Sequence, residues 1–171
     1  MDSGSGPTTI WIAIADLGRS GVPISLERML RWLHATHPER FEVHVVAERS
    51  GPLAGAMSTV AASVTALEPQ TGRSPVSSVV AASSILGCAT APAEAARRRW
   101  HRHRTRHLPC PDIVVAHGAG AWGLVDSIQG RAGRARLVLH LHELDVALSR
   151  SGRGGRDPCT FTRPDAVLVV S

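Results

Sequence analysis

The sequence predicts an α/β fold: a Rossmann-like, doubly wound parallel sheet of about six strands with helices on both faces. Three observations lead to this prediction. Short apolar runs alternate with segments of helical periodicity, the connections between them are short, and several runs are apolar at every position, as in strands covered on both faces. The length of 171 residues corresponds to one domain with a full hydrophobic core.

The first half of the chain supplies three of the strands. A flexible leader is expected over residues 1–9, and the loop Leu17–Pro23 carries two glycines between the first strand and the first helix. That helix is predicted because Leu26, Met29, Leu30 and Leu33 recur at helical spacing. The predicted strands are Ile10–Ala15, Phe41–Ala47 and Val60–Leu67, and the predicted helices are Ile24–His37 and a short helix opened by Gly51 and Pro52.

The second half begins with an Ala- and Ser-rich helical region that Pro92 is expected to interrupt. The remaining elements are strand Asp112–Ala116, helix Gly120–Ile128, strand Arg136–His142, a Gly/Arg loop over residues 149–157 and strand Asp165–Ser171. Residues 10–171 are therefore expected to form one domain. Since Ser171 stands where a helix cap would follow the last strand, we expect the chain to be the first part of a longer protein.

Basic charge is concentrated in the segment Arg97–His107, which holds six Arg and no acidic residue. These six charges exceed the formal net charge of +5 of the whole chain, so a general nucleic-acid-binding surface is not indicated. We expect a solvated helix end or loop here, whose leading functional interpretation is contact with an anionic membrane. Trp100 is the one aromatic residue in the run, and Trp11 and Trp32 are expected to pack within apolar patterns.

The cysteines and the N-terminus bear on the cellular compartment. Cys88, Cys110 and Cys159 are odd in number and form no C-x-x-C pair, which favours a reduced, cytoplasmic chain. Residues 1–7 lack the basic and apolar regions of a signal peptide. The most apolar window, residues 76–91, is too short to span a bilayer.

The strongest candidate site lies at the end of the fifth strand, where an aliphatic run turns into His142, Glu143 and Asp145. Ligands of open α/β sheets gather beyond the carboxyl ends of the strands, and these residue types bind hydroxyls and transfer protons. His140-x-His142 also resembles part of a metallohydrolase motif, but the further Asp and His of that motif are missing. No metal site is therefore predicted.

Two further segments follow predicted strands. Gly18 and Gly21, separated by two residues and leading into a helix, are of the kind that binds a phosphate through backbone N–H groups. A tight turn needs glycine for structural reasons as well, so both interpretations remain open. His117 has two interpretations: a residue lining the same cleft, or an exposed side chain at the start of a Gly-rich turn. From these residues alone the second is favoured. G-x-G-x-x-G is absent from this chain, which argues against a dinucleotide-dependent dehydrogenase.

Four segments together resemble the N-terminal domain of glycosyltransferases of the GT-B fold, family 4. The first is the loop after the first strand, the second and third follow the fourth and fifth strands, and the fourth is similar to the family's "ADAVLAVS" segment. They are residues 14–23, 111–117, 138–145 and 164–171. The likeness extends from Ile10 onward and is weakest over residues 72–108. Ser20-Gly21 stands where the family commonly has Gly-Gly.

This resemblance implies that the domain presents an acceptor, while a second domain binds the nucleotide-sugar donor. His142 would lie at the reaction centre, and the donor phosphate or sugar would approach Gly18, Ser20 and Gly21. The acceptor-binding residues would be Glu143, Asp145, His117 and Asp16. The acceptor would be a glycan or a lipid-linked molecule. The reaction would use no cofactor and no metal, because the nucleotide-sugar is a co-substrate, and the present chain alone is expected to be inactive.

Two other functional classes remain open from the sequence. The first is a stand-alone Rossmann-like binding module or a non-catalytic fragment. The second is a metallohydrolase, which fits the sequence less well because part of its motif is missing. The expected partners of the transferase are the donor, held by the second domain, the acceptor and an anionic membrane touched through Arg97–His107, with no nucleic acid among them. The expected location is the cytoplasm, with peripheral contact at the inner face of the membrane.

Overall fold

The computed structural model describes residues 6–68, 90–141 and 164–169. In this part of the chain six strands form one parallel sheet, which confirms the predicted fold class. The strands are β1 (Thr8–Asp16), β2 (Phe41–Arg49), β3 (Ser63–Glu68), β4 (Ile113–His117), β5 (Arg136–Leu141) and β6 (Ala166–Val169). The helices are α1 (Gly21–Thr36), α2 (Ala54–Ser58), α3 (Thr90–Arg104) and α4 (Trp122–Ala132), and a 3-10 turn spans Ala119–Ala121.

The strand order is β3-β2-β1-β4-β5-β6, so β1 lies between β2 and β4 in the middle of the sheet. Alternate side chains of the central strands enter two separate cores. On one face, Ile12 and Val45 pack with Leu26 of α1 and Met57 of α2. On the other face, Trp11 belongs to the same core as the α4 residues Leu124, Val125 and Ile128. Helices therefore cover both faces, as the sequence predicts.

Several boundaries differ from the prediction for identifiable reasons. The expected leader is too long, because Thr8 and Thr9 already pair with Phe41 and Glu42 of β2. β3 begins three residues later than expected, since the N–H groups of Val60 and Ala61 donate to the Met57 carbonyl and close the end of α2.

Two helices begin with a proline in the first turn. α1 begins at Gly21 rather than Ile24, and α3 begins at Thr90, two residues before Pro92. The region before Thr90 lies outside the described residues, so the interruption expected at Pro92 stays a prediction. In both helices the proline lies in the first turn, where its missing N–H has no partner to lose.

The prediction for Trp32 is wrong: its side chain is 57% exposed, although Trp11 is fully buried as expected. Trp32 lies beside the buried stripe of α1, with its ring edge-on to His37. The other predicted segments, including residues 76–89, the loop 149–157 and the ends of the fifth and sixth strands, lie wholly or partly outside the described residues.

The start of the sheet is fixed by two aspartates with the same set of contacts. Asp112 precedes β4 and Asp165 precedes β6, each directly after a proline. The Thr9 N–H donates to Asp112 Oδ2 at 2.8 Å, and the Leu137 N–H donates to Asp165 Oδ2 at 2.7 Å. In return, the Asp112 and Asp165 N–H groups donate to the carbonyls of the same two residues. Each carboxylate thus sets the register of a parallel strand pair near the start of the pair.

Candidate functional site

The candidate site lies at the carboxyl end of the sheet, around β1 and β4. The chain passes from β1 to β2 and β3 on one side and returns to β4 on the other side of β1. In open α/β sheets such a reversal opens a crevice where ligands bind. Four segments meet at this edge: the loop between β1 and α1, the loop between β2 and α2, the end of β4 and the end of β5.

Two histidines are in contact at this edge. His117 ends β4, and its register partner in β5 is His140, so both side chains lie on the same face of the sheet. Their Nδ1 atoms are 3.1 Å apart, and the ring centroids are 4.8 Å apart with the rings inclined at 70°. His117 Nε2 lies 3.3 Å from the carbonyl oxygen of Val22, in the first turn of α1. The pair therefore connects α1 to the ends of two strands.

His117 is only 2% exposed, so the expectation of an exposed side chain is wrong. The chain turns away from the sheet directly after it, because Gly118 adopts a φ of 87° that favours glycine. The Gly118 N–H donates to the His140 carbonyl at 2.8 Å, which ties the turn to β5. The 3-10 turn Ala119–Ala121 then leads into α4. The sequence places His117 correctly at the strand end but gives no sign of its burial.

The loop between β1 and α1 is closed by Asp16, a predicted acceptor-binding residue. Asp16 Oδ1 accepts the Gly18 N–H at 2.8 Å, and Arg49 Nη2 lies 3.4 Å from Asp16 Oδ2. A Cβ at Gly18 would lie 2.8 Å from Asp16 Oδ1, so a larger residue there would disturb this turn. Asp16 shapes the loop in this structure, and acceptor binding by Asp16 stays a prediction.

Ser20 and Gly21 open helix α1 at the same edge. Ser20 is the N-cap, with extended backbone angles (φ −107°, ψ 172°), and its hydroxyl makes no capping hydrogen bond. Both residues are exposed, and a Cβ on Gly21 would meet no atom within 4 Å. The N-terminal end of a helix carries partial positive charge and backbone N–H donors, which suit a phosphate.

A close contact between two backbone segments supports the loop between β1 and α1, and the sequence did not predict it. The Leu53 N–H donates to the Leu17 carbonyl at 3.1 Å, and a Cβ on Gly51 would lie only 2.2 Å from the same oxygen. Position 51 therefore admits only glycine without movement of the backbone. The Gly51-Pro52 pair is noticeable in the sequence, but a turn alone explains it equally well.

The other predicted site residues, His142, Glu143 and Asp145, lie outside the described residues, and their roles stay predictions. The structure does bring Asp16, Gly18, Ser20, Gly21 and His117 to one edge of the sheet. His140 joins them, although the sequence suggests it only as part of a possible metal pattern. Among the described residues, no group of three His, Cys, Asp or Glu side chains is placed to hold a metal ion.

The Arg97–His107 segment is more than a solvated helix end. His101 and Thr105 are buried, and His101 Nδ1 lies 2.6 Å from Ser127 Oγ of α4. The Trp100 indole N–H donates to the Leu67 carbonyl at 3.1 Å. Arg97 contacts Glu48 at 3.6 Å. One side of α3 thus packs against the rest of the domain through its non-arginine residues, which recur near helical spacing. The number of arginines in the segment gave no indication of this packing.

Burial, and secondarily the nearby Arg97 charge, lowers the pKa of His101 to about 4. His101 is therefore neutral at physiological pH, with a structural role between α3 and α4. Burial likewise lowers the pKa of His44, whose Nδ1 lies 2.8 Å from Ser63 Oγ, against the opposing influence of Glu42. Neither histidine lies at the carboxyl edge of the sheet.

A concavity of about 330 Å³ lies at the opposite edge of the sheet. Its walls come from the end of α1, the start of β2 and the turn before β3, and include Leu33, His37, Phe41 and Ala61. This concavity lies at the amino ends of the strands, away from the edge where open α/β sheets bind ligands. We therefore place the candidate site at the histidine pair.

The six-stranded parallel sheet with helices on both faces defines the class of protein as Rossmann-like α/β. No family model, curated protein or solved structure matches this chain. No helix in the described ranges has the length and apolar character needed to cross a membrane.

Proposed function

We propose that this chain is the acceptor-presenting half of a GT-B glycosyltransferase, which transfers a sugar from a nucleotide-sugar to a hydroxyl of a glycan or lipid-linked acceptor. The observation that carries the proposal is the convergence of the β1–α1 loop and the His117–His140 pair at one edge of the sheet, where its strand order reverses. A dehydrogenase is a poorer fit, because the loop lacks the G-x-G-x-x-G pattern of dinucleotide sites.

Each part of the edge has a role in this proposal. His142 stands at the reaction centre, with Glu143 and Asp145 binding acceptor hydroxyls. The open end of α1, with Ser20 and Gly21, receives the donor phosphate or sugar that the second domain delivers. His117 is buried, so it supports the site from within the sheet. The transfer uses no metal and no cofactor in the proposal, and the nucleotide-sugar serves as co-substrate.

A binding experiment on the full chain tests the proposal. Saturation-transfer NMR with nucleotide-sugars and with glycan and lipid-linked acceptors should show acceptor binding without nucleotide binding, since the donor belongs to the other domain. His142→Ala should weaken acceptor binding by about tenfold, roughly 1.4 kcal/mol. The control His103→Ala, at an exposed position on α3, should leave it unchanged. Tight nucleotide binding by the wild-type chain, or a requirement for a metal, would contradict the proposal.

The partner surface proposed for the membrane is the outer side of α3. Arg99 and Arg102 are exposed on α3, and Arg106 is exposed two residues beyond its end. Arg98 contacts Asp126 at 2.8 Å. Each exposed arginine near an anionic bilayer contributes about 1 kcal/mol, so three together support a peripheral contact from the cytoplasmic side. Nucleic acid is a poorer fit, because the Trp100 indole is already bound to the Leu67 carbonyl and stacked on His103.

Vesicle sedimentation tests this contact. A triple change of Arg99, Arg102 and Arg106 to Gln should lower affinity for phosphatidylserine vesicles by on the order of a hundredfold, and added salt should weaken binding of the wild type. Changing Arg28, Arg134 and Arg136 to Gln removes the same charge from other exposed positions and should have a smaller effect. Equal losses in the two variants would contradict a specific role for α3.

A further inference from the structure

Three side chains near the starts of β2 and β3 have the arrangement of a Ser-His-Glu triad. Ser63 Oγ lies 2.8 Å from His44 Nδ1, and His44 Nε2 lies 3.4 Å from Glu42 Oε1. His44 and Ser63 are register partners in neighbouring strands, and Glu42 lies two residues before His44, so all three side chains share one face of the sheet. Such a triad is recognised by its geometry, because the chain order of its members differs between folds.

The proton positions on His44 follow from the two groups beside its ring. A carboxylate can only accept, so His44 Nε2 carries its proton towards Glu42 and leaves Nδ1 to accept the Ser63 hydroxyl proton. At 3.4 Å the contact with Glu42 is longer than a full hydrogen bond, and hydrogen bonds between catalytic groups often tighten only in the complex with substrate. Burial, opposed by the Glu42 carboxylate, lowers the pKa of His44, so the ring is neutral at physiological pH and can take up a proton.

The hydroxyl of this triad is more accessible than the imidazole beside it. His44 is only 4% exposed, whereas Ser63 is half-buried. Ser63 is also the first residue of β3, which is the terminal strand of the sheet order. A small molecule can therefore approach the hydroxyl from the end of the sheet, while the buried imidazole is kept away from bulk water. Since Ser63 is half-buried, it has room for a small acyl group only.

We infer that Ser63 is a nucleophile which, with His44 as general base and Glu42 as positioning residue, transfers the acyl group of a small activated carboxylic ester to water. The Ser63 oxygen bonds to the ester carbonyl carbon while its proton passes to His44 Nδ1. The ester C–O bond then breaks, and the departing alcohol or phenol takes that proton from His44. Water next attacks the Ser63 ester with the same nitrogen as base, which releases the carboxylic acid and restores the hydroxyl. Glu42 stays ionised throughout and stabilises the imidazolium.

This activity is separate from the proposed sugar transfer and does not rest on it. The triad lies near the starts of β2 and β3, whereas the proposed acceptor site lies at the carboxyl ends of β1 and β4. A change at Ser63 should therefore leave acceptor binding unaffected.

Labelling of the full chain with a fluorophosphonate probe tests the nucleophile. The probe's phosphorus bonds to a nucleophilic serine oxygen and fluoride leaves, and peptide mass spectrometry then locates the modified residue. Ser63 should be the residue labelled in the wild type, and Ser63→Ala should abolish labelling. The control Ser58→Ala removes an exposed hydroxyl of α2 and should leave labelling unchanged. An unlabelled wild type, or one labelled at another serine, would overturn the inference without the need for any variant.

Hydrolysis of p-nitrophenyl acetate tests the other two members of the triad. His44→Gln should lower the rate about a hundredfold, because it removes the general base. Glu42→Ala should lower the rate less, about tenfold, since its contact with His44 is long and its side chain is 41% exposed. The control Glu39→Ala removes an exposed carboxylate from the same segment and should leave the rate unchanged. A wild-type rate no higher than that of Ser63→Ala, or equal rates in the wild type and His44→Gln, would overturn the inference.

Nitrogen-15 NMR of the His44 ring separates positioning by Glu42 from simple packing. In the wild type, His44 should show a protonated Nε2 and a bare Nδ1. In Glu42→Ala the ring loses the acceptor beside Nε2, and the signals should become those of a mixture of tautomers. A tautomer that is the same in the wild type and in Glu42→Ala would overturn the positioning role. The wild-type spectrum and the probe labelling decide the inference even if His44→Gln folds poorly.

Discussion

The two edges of the sheet are built by different means. At the amino edge, the carboxylates of Asp112 and Asp165 each accept the N–H of the second residue of a neighbouring strand. At the carboxyl edge, the contacts come from an imidazole pair, a glycine with positive φ and a backbone approach that excludes any side chain at position 51. At the amino edge the same aspartate contact fixes the register of two strand pairs. The carboxyl edge instead brings titratable side chains and the exposed start of a helix together. The amino edge therefore fixes strand register, and the carboxyl edge is where we propose the functional site.

Gly51→Ala should have the largest effect, because the added Cβ meets backbone atoms of Leu17 and Gly18 rather than a flexible side chain. We expect the free energy of unfolding to fall by about 3 kcal/mol. Urea titration followed by circular dichroism measures it. Gly55→Ala is the matched control, since its Cβ would meet nothing within 4 Å and alanine favours the helix. If Gly51→Ala lowers the free energy of unfolding by less than about 1 kcal/mol, the backbone at this edge can move to accommodate a side chain.

Acid should have the next largest effect, through a histidine that lies at neither edge. The pKa of His101 is about 4 in the folded protein and about 6.5 in the unfolded chain, so between these values the unfolded state binds the extra proton. Its contribution to stability is fully present above pH 6.5 and is lost as the pH falls to 4, by roughly 2 to 3 kcal/mol.

Denaturant titrations at several pH values, compared with those of His101→Phe, isolate this effect. The variant should lack this part of the acid-induced loss, because phenylalanine does not titrate. The Ser127 hydroxyl keeps its 2.7 Å contact with the Leu124 carbonyl in the variant. If the wild type and the variant lose stability in parallel as the pH falls, the titrating group is elsewhere.

At the amino edge, Asp165→Ala should lower the free energy of unfolding by about 1.5 kcal/mol, because it leaves the half-buried Leu137 N–H without its acceptor. Asp112→Ala should have a smaller effect, since the Thr9 N–H is exposed to water. Chemical unfolding measures both, and the Asn variants should recover part of the loss by supplying an amide oxygen. Acceptor binding should remain unchanged. If either aspartate variant changed acceptor affinity without changing stability, the separate roles proposed for the two edges would be wrong.

The smallest effect is expected for an ion pair away from both edges. Arg98 and Asp126 are 2.8 Å apart, but their side chains are 44% and 27% exposed. Asp126→Asn should lower stability by about 0.5 kcal/mol, and 1 M salt should remove the difference from the wild type. A larger loss that persists in salt would indicate that this pair also holds α3 against α4.

The sequence predicted the fold class well, because alternation of apolar runs and helical segments is a local signal that the parallel sheet preserves. It also placed His117 and the β1–α1 loop at strand ends. It could not predict the burial of His117, since that depends on the first turn of α1 and on His140, which is 23 residues away in the chain. Trp32 is the opposite case, an apolar residue that was expected to be packed but is exposed. Helical spacing alone did not reveal that its ring lies beside the apolar stripe of α1.

The central position of β1 also has a consequence for biosynthesis. Its first residues pair with β2, about 30 residues away, but its contact with the β4 side spans 103 residues. At roughly 5–20 residues per second, a ribosome needs on the order of 5–20 seconds to supply that second neighbour. During this interval Trp11 lacks its core partners Leu124 and Ile128 of α4, and apolar surface exposed in this way favours aggregation of the nascent chain.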